Sequence, residues 1–156
     1  MKARQNNYFN VKIMKKYIDI AFIYAIAAAA AGVFYREFTK WNGFSGTTVL
    51  GKVHPHLFLL GMIIFLLVAL FNAQLDLSQF KTFRVFLKLY NVGVPLTAFM
   101  MLVRGIPQVL HITLSKGFDA SISGIAGIGH ILTGIGLILF LLSLKKAYTE
   151  KSIGHL

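Results

Sequence analysis

Four long apolar stretches separated by short polar segments dominate the pattern of the chain. They cover residues 17–35, 53–75, 85–103 and 122–144. Each is close to the roughly 20 residues that an α-helix needs to cross about 30 Å of hydrocarbon. The second is apolar without interruption from Leu57 to Phe71, whereas the third contains Lys88 and Pro95 and needs protein neighbours to satisfy its polar groups. The pattern predicts an all-α membrane protein, a bundle of four transmembrane helices that forms a single membrane domain over residues 1–156.

The composition supports a membrane protein and narrows the chemistry. Of 156 residues, 56% are hydrophobic and 13% charged, and the mean hydropathy is +0.69, which argues against both a disordered chain and a large soluble catalytic domain. The chain has no cysteine, so a disulfide, a thiolate metal site, an iron–sulfur cluster and covalent c-type haem attachment are excluded. Any metal or cofactor must be held by histidine or oxygen ligands.

Basic residues are distributed unevenly between the two sides of the predicted membrane. The net charge is +11, and eleven of the sixteen Lys and Arg lie in the two termini and near the second loop. The positive-inside rule therefore puts both termini in the cytoplasm and predicts a multi-pass protein of the bacterial cytoplasmic (inner) membrane. Contact with anionic lipid headgroups explains this excess of positive charge better than nucleic acid does. We expect the lipid bilayer to be a partner and nucleic acid not to be one.

His130 is the only ionisable residue in the fourth apolar stretch. A buried ionisable group is costly in a membrane and is a functional candidate. Gly127 and Gly134 lie on the same helix face and remove side-chain bulk on both sides of the imidazole, so a flat macrocycle could approach closely. The alternative is structural: the glycines let two helices pack, and His130 bonds to a neighbouring polar group.

The sequence His54-Pro55-His56 is typical of a helix start, with proline at the first helical position. On an α-helix, residues at i and i+2 point about 200° apart, so the two histidines cannot chelate one metal ion and are expected to have different roles. We predict that His56 ligates an axial site and that His54 caps the helix or contacts the adjacent loop, a propionate or a neighbouring subunit. Alternatively, both histidines are interfacial caps.

The run from His54 to Gly61, HPHLFLLG, resembles the opening of a helix in an uncharacterised family of small four-helix bacterial membrane proteins. It is also similar, more loosely, to the haem-bearing helix of the haem–copper oxidase superfamily. That second resemblance implies a histidine on one helix that ligates haem iron together with a histidine on another, here His56 and His130. Oxygen reduction is not implied, because the chain lacks the adjacent His-His pair and the tyrosine-bearing helix of the copper centre.

These observations favour a b-type haem protein, with haem b held between the second and fourth helices by His56 and His130. Basic residues at the outer rim, above all Arg104, could neutralise the haem propionates. With two imidazole ligands the iron favours electron transfer to or from a redox partner, and with one open position it could sense a small gas.

Two other classes of function stay open. One is a zinc or copper site in which His111 joins His56, His130 and His54 near the outer face. The other is a cofactor-free assembly or transport subunit, in which small residues of the first and fourth helices form a homo-oligomer. No hydrolytic or phosphoryl-transfer motif is visible, so any enzymatic role would be redox chemistry.

Two weaker patterns give further expectations. Aligning the second and fourth helices suggests an internal repeat, in which His56 and Gly61 correspond to His130 and Gly134 with the glycines one residue out of register. Asp19 is expected to pair with Lys88 across the first and third helices.

Overall fold

The computed structural model describes residues 2–153, which form four long helices. Their bounds are α1, Lys2–Trp41; α2, Val49–Leu75; α3, Lys81–Val109; and α4, Lys116–Ile153. A single 3₁₀ turn, Leu77–Gln79, lies between α2 and α3. All four helices are long and apolar enough to cross a membrane, and this confirms the predicted all-α bundle of four spans. The helices are longer than the apolar stretches because hydropathy detects only the part of a helix that lies in hydrocarbon.

Helix α2 is built from four segments with different hydrogen-bonding patterns. It begins with a 3₁₀ turn at Val49–Lys52, continues as an α-helical turn at Val53–His56 and a π-helical segment at Leu57–Ile63, and ends as an α-helix at Ile64–Leu75. The chain leaves this last segment through Asp76 in the left-handed conformation, with φ of 43°. The π-helical segment follows His56 directly, so the angular position of that histidine differs from the one an unbroken α-helix would give.

The predicted start of α2 is wrong in two respects. The α-helical part begins at Val53, but a 3₁₀ turn at Val49–Lys52 precedes it, because Thr48 is the N-cap of that turn and accepts the amide N–H of Leu50 at 3.2 Å. Pro55 therefore lies within the helix and not at its first position. His54 does not cap the helix, since its Nδ1 is buried without a hydrogen-bond partner.

The helices run alternately up and down, so each end of the bundle gathers two helix starts and two helix ends. At the inner end, defined by the starts of α1 and α3, Tyr17 meets Phe83 edge to face at 6.2 Å between ring centroids. The Ser143 hydroxyl donates there to Thr82 Oγ1 at 2.8 Å. At the outer end, defined by the starts of α2 and α4, Thr48 Oγ1 donates to the carbonyl of Gly105 at 3.1 Å.

Helices α3 and α4 pack closely through two reciprocal glycine–threonine contacts. A Cβ added at Gly93 would lie 2.7 Å from the amide nitrogen of Thr133, and one added at Gly129 would lie 3.0 Å from the amide nitrogen of Thr97. Each helix thus presents a glycine and, four residues later, a threonine to its neighbour. Such small-residue faces let helix backbones approach closely in membranes.

Aromatic side chains fill the inner half of the core around Tyr90. Phe86 and Phe140 stack with ring centroids 5.0 Å apart, and Phe65 approaches Tyr90 at 6.0 Å. The Tyr90 hydroxyl donates to the carbonyl oxygen of Leu60 at 2.8 Å, inside the π-helical segment. This hydrogen bond ties α3 to the least regular part of α2.

The expected ion pair between Asp19 and Lys88 is not formed. Both side chains are exposed, and the ion pairs found among the described side chains of residues 14–152 are Arg36–Glu37 and Arg104–Asp119. The physical reason is that a surface groove of about 510 Å³ separates α1 from α3.

Candidate cofactor site

The structure brings His56 of α2 and His130 of α4 together. Their ring centroids lie 6.4 Å apart, and the ring planes make an angle of 83°. His56 is partly buried and His130 is exposed on the surface of the bundle. The two residues predicted to form an axial pair are thus neighbours, although 74 positions separate them in the chain.

Backbone hydrogen bonds fix the same tautomer in both histidines. His56 Nδ1 lies 2.8 Å from the carbonyl oxygen of Lys52, and His130 Nδ1 lies 2.8 Å from that of Ala126. A carbonyl only accepts, so Nδ1 donates in each case and Nε2 of the neutral ring keeps its lone pair. Metal-ligating histidines typically have this second bond, which orients the ring and raises its basicity.

The separation of the two rings distinguishes between coordination geometries. Metal–imidazole bonds are about 2.0–2.1 Å long, and a ring nitrogen lies about 1.1 Å from its ring centre, so two imidazoles on opposite sides of one metal ion have centres roughly 6 Å apart. In a tetrahedral site the same bonds bring the ring centres to roughly 5 Å. The observed 6.4 Å between ring centres is close to the first of these two values.

Open space surrounds the histidine pair. Helix α4 packs along α3 and against the Ile64–Leu75 segment of α2, while His56 lies on the outer part of α2 beyond that contact. A cavity of about 260 Å³ borders His56, and all the residues that line it belong to α2. A Cβ added at Gly127 or Gly134 would have no neighbouring heavy atom within 4 Å. We give the name α2–α4 cleft to the outer surface between these two helices that carries His56, His130, Gly127 and Gly134.

Four glycines of α4 therefore fall into two groups, one in contact with α3 and one beside open space. Gly129 and Gly136 lie against Thr97 and Tyr90 of α3, where an added Cβ would come within 3.0 Å of a neighbouring atom. Gly127 and Gly134 share the face of His130, and a Cβ added at either would have no heavy atom within 4 Å. Packing thus explains the first group, while the second leaves room beside the histidine.

The same contacts revise the internal repeat. Gly61 lies against the ring of Tyr24 from α1, and Gly136 lies against the ring of Tyr90 from α3. The glycine that matches Gly61 in its packing is therefore Gly136 and not Gly134. Each helical hairpin has one tyrosine–glycine contact inward of its histidine.

His54 points away from the cleft. A Cβ added at Gly32 of α1 would lie 3.6 Å from the His54 ring, and His54 Nδ1 is buried without a partner. His54 therefore belongs to the interface between α1 and α2. The prediction that the two neighbouring histidines occupy different faces agrees with this arrangement.

Arg104 lies at the outer end, where it is already paired. Its Nη2 donates to Asp119 Oδ1 at 2.8 Å and to Ser123 Oγ at 2.6 Å. Ser123 is two helical turns before His130 and shares its face of α4. The guanidinium group is thus tied to the face that carries His130, but an anion at this end would compete with Asp119 for it.

His111 is not part of the histidine pair. It lies in the loop after α3 with φ of 54°, and its ring contacts that of Phe44 at 5.5 Å. Within residues 2–153 no three His, Cys, Asp or Glu side chains are close enough to hold a metal ion, so the three-histidine site of His56, His130 and His111 is not assembled. His155 lies outside the described residues.

Two features of the site have no signal in the sequence. The π-helical segment consists of the same apolar residues as any membrane helix, and Tyr90, which bonds to it, looks like an ordinary aromatic residue of α3. Tyr90 faces Gly136 as Tyr24 faces Gly61 in the first hairpin. This repeated tyrosine–glycine pairing could have indicated Tyr90, but it is recognisable only when one knows which helices pair.

Comparison with known proteins identifies the family. Residues 14–147 match the family described as "Protein of unknown function (DUF2871)", and the chain therefore belongs to it. No curated protein and no solved structure matches the chain. The resemblance to an uncharacterised family is thus confirmed, whereas the looser resemblance to haem–copper oxidases is not supported.

Proposed function

We propose that this member of the DUF2871 family is a multi-pass membrane protein that binds one b-type haem in the α2–α4 cleft, with His56 and His130 as axial ligands. One observation underlies the proposal: two imidazole rings from different helices, 6.4 Å apart, each with Nδ1 bonded to a backbone carbonyl. That combination leaves the lone pairs of two neighbouring Nε2 atoms available to hold a metal.

The surroundings of the pair support a flat cofactor over a bare ion. Gly127 and Gly134 leave open space beside His130, which a tetrahedral zinc or copper ion with short bonds does not need. At the outer end, Lys52 precedes His56 by one turn and Arg104 is held on the His130 face. Both cations could neutralise propionates by charge-assisted hydrogen bonds.

The function proposed for this haem is electron transfer. Gas sensing at the same site is the alternative. The haem would supply a one-electron redox couple, and two histidine ligands would leave no open position on the iron. His130 is exposed and His56 is partly buried. For gas sensing, His56 alone would hold the haem. A redox partner would be needed only for electron transfer.

The absorption spectrum of the detergent-purified protein, expressed with ample haem, tests this proposal. We expect a Soret band and the spectrum of six-coordinate, low-spin haem. The variants His56→Ala and His130→Ala should each lose the haem or become high-spin, because each removes an iron ligand.

The neighbouring histidine provides the control. His54→Ala should keep the wild-type spectrum, since His54 faces α1. A protein without a Soret band, or a His130→Ala variant with an unchanged spectrum, would refute the proposal. Stoichiometric zinc or copper without porphyrin in elemental analysis would favour the metal alternative instead.

We also propose an orientation and an oligomeric state. The positive-inside rule puts the inner end of the bundle in the cytoplasm, in the inner membrane of a bacterium. Exposed small residues of α4, such as Gly124, are suited to close helix contact between copies. Native mass spectrometry of the solubilised protein tests the homo-oligomer, and a strictly monomeric species would contradict it.

A further inference from the structure

A groove on the surface between α1 and α3 is apolar along most of its length. Its volume is about 510 Å³, and Leu57 and Ala98 line its deeper part. At its edges Ile23 of α1 and Phe99 of α3 are 65% and 59% exposed. Because both helices are long and apolar enough to span a membrane, this groove faces the lipid.

The inner end of the groove is polar. Asn91 lines it, and two charged residues flank it on the same helix faces: Asp19, four residues before Ile23, and Lys88, seven residues before Pro95. Residues at these spacings lie nearly in line along a helix. A carboxylate and an ammonium group thus stand on opposite sides of the same end.

The two charges lie at similar depths but do not meet. Tyr17 and Phe83 are in contact and set a common level for α1 and α3. With a rise of 1.5 Å per residue, Asp19 lies about 3 Å and Lys88 about 7.5 Å further out. Their side chains are nevertheless more than 4.0 Å apart, since no ion pair joins them. Charged groups at the edge of a membrane span are costly without a partner.

We propose that this groove binds one glycerophospholipid with an ammonium-bearing headgroup, as in phosphatidylethanolamine. Asp19 accepts hydrogen bonds from the lipid ammonium group, Lys88 donates to the lipid phosphate, and an acyl chain lies in the groove. The site is separate from the α2–α4 cleft and does not depend on haem.

The charges determine the class of lipid. An anionic lipid would satisfy Lys88 but place a second negative charge near Asp19. A choline headgroup has the required charges, but its quaternary nitrogen has no N–H to donate. An ammonium headgroup alone forms charge-assisted hydrogen bonds with both residues.

The length of the groove suits an acyl chain. From Asn91 to Leu102, both of which line it, the groove follows α3 for about 16 Å. The polar end lies at the inner end of the bundle, so the lipid belongs to the leaflet on that side.

Native mass spectrometry of the full-length protein in detergent tests the proposal. Phosphatidylethanolamine, phosphatidylglycerol and phosphatidylcholine with the same acyl chains are added separately, and the retained lipid is counted. One additional hydrogen bond of ordinary net strength predicts that the first lipid is retained about three to ten times more than either of the others. In the variants Asp19→Asn and Lys88→Gln its retention should fall to the level of the others.

Matched controls are available at the same end of the bundle. Asp76→Asn and Lys145→Gln change exposed residues of the same types outside the groove and should retain the lipid as the wild type does. Equal retention of the three lipids by the wild type, or undiminished retention by Asp19→Asn, would overturn the proposal. So would a dimer that Asp19→Asn dissociates while no lipid is retained, because a second copy would then occupy the groove.

Discussion

At the scale of single residues, the structure shows that residues of the same type have different surroundings. His54 and His56 are two positions apart, yet one faces α1 and the other faces α4. The same holds for the glycines of α4, of which Gly129 is in tight contact with α3 while Gly134 borders open space. The sequence predicted the divergence of the histidines, because helix geometry is local. It could not separate the glycines, because their contacts come from another helix.

Substitution of the two kinds of glycine should have opposite effects on stability. Gly134→Ala should raise the free energy of unfolding by about 0.5–1 kcal/mol, because alanine loses less backbone entropy and the site is open. Gly129→Ala should lower it by about 1–3 kcal/mol, since the new methyl group would press on the Thr97 backbone. Unfolding in mixed detergent–dodecyl sulfate micelles measures both. Equal effects of the two substitutions would contradict this division.

Removing the Tyr90 hydroxyl should cost a small but measurable amount of stability. Tyr90→Phe keeps the ring against Gly136 and deletes only the hydrogen bond to Leu60. Hydrogen bonds between membrane helices contribute about 0.6 kcal/mol on average and up to about 1.7 kcal/mol. The same micelle unfolding assay applies, with Tyr148→Phe, an exposed position, as the control.

At the scale of elements, α2 determines the geometry of the site. Thr48 Oγ1 is hydrogen-bonded to Gly105 and Gln108 of α3 at the outer end, and the π-helical segment Leu57–Ile63 follows His56. A π-helical turn contains more residues than an α-helical turn, so it changes the angle between His56 and the rest of the helix. The sequence correctly predicted a helix that ends at Leu75. It predicted neither the 3₁₀ turn that precedes residue 53 nor the π-helical segment.

Chemical crosslinking can test how far the histidine pair depends on this segment. The chain has no cysteine, so in the double variant His56→Cys/His130→Cys a short bis-maleimide should link only these two positions. Deleting Leu59 should abolish the link, because a segment one residue shorter would turn residue 56 away from α4.

The pair His54→Cys/His130→Cys is the control and should link poorly, since His54 packs against α1. Equal linking of both pairs would show that the two histidines do not occupy different faces. A link that survives deletion of Leu59 would show that the π-helical segment does not position residue 56.

At the scale of the whole molecule, the four helices form two hairpins that differ in how tightly they join. The α3–α4 pair interlocks through two glycine–threonine contacts, whereas the backbones of α2 and α4 pack together only in the Ile64–Leu75 segment. Further out, the two helices meet through the His56–His130 ring pair. The bundle is therefore closed by aromatic residues inside and open between α2 and α4 outside. The gap between the outer parts of α2 and α4 is the α2–α4 cleft.

Labelling of single cysteines in intact cells tests the orientation of the bundle. In Ser45→Cys the thiol lies at the outer end and should react with a membrane-impermeant maleimide. In Gln79→Cys it lies at the inner end and should react only after the membrane is opened. Both positions are exposed, so accessibility within the protein does not distinguish them. The reverse result would place both termini outside the cytoplasm.

The sequence by itself determined the class of fold, the four spans and the different directions of His54 and His56. These depend on hydropathy and helix periodicity, which are properties of neighbouring residues along the chain. Tertiary structure decided the earlier start of α2, which depends on a threonine bonded to α3, and the role of each glycine. It also decided that Asp19 and Lys88 stand apart across a groove. These features depend on which helices touch and how closely, and one amino-acid sequence does not encode those distances in any local pattern.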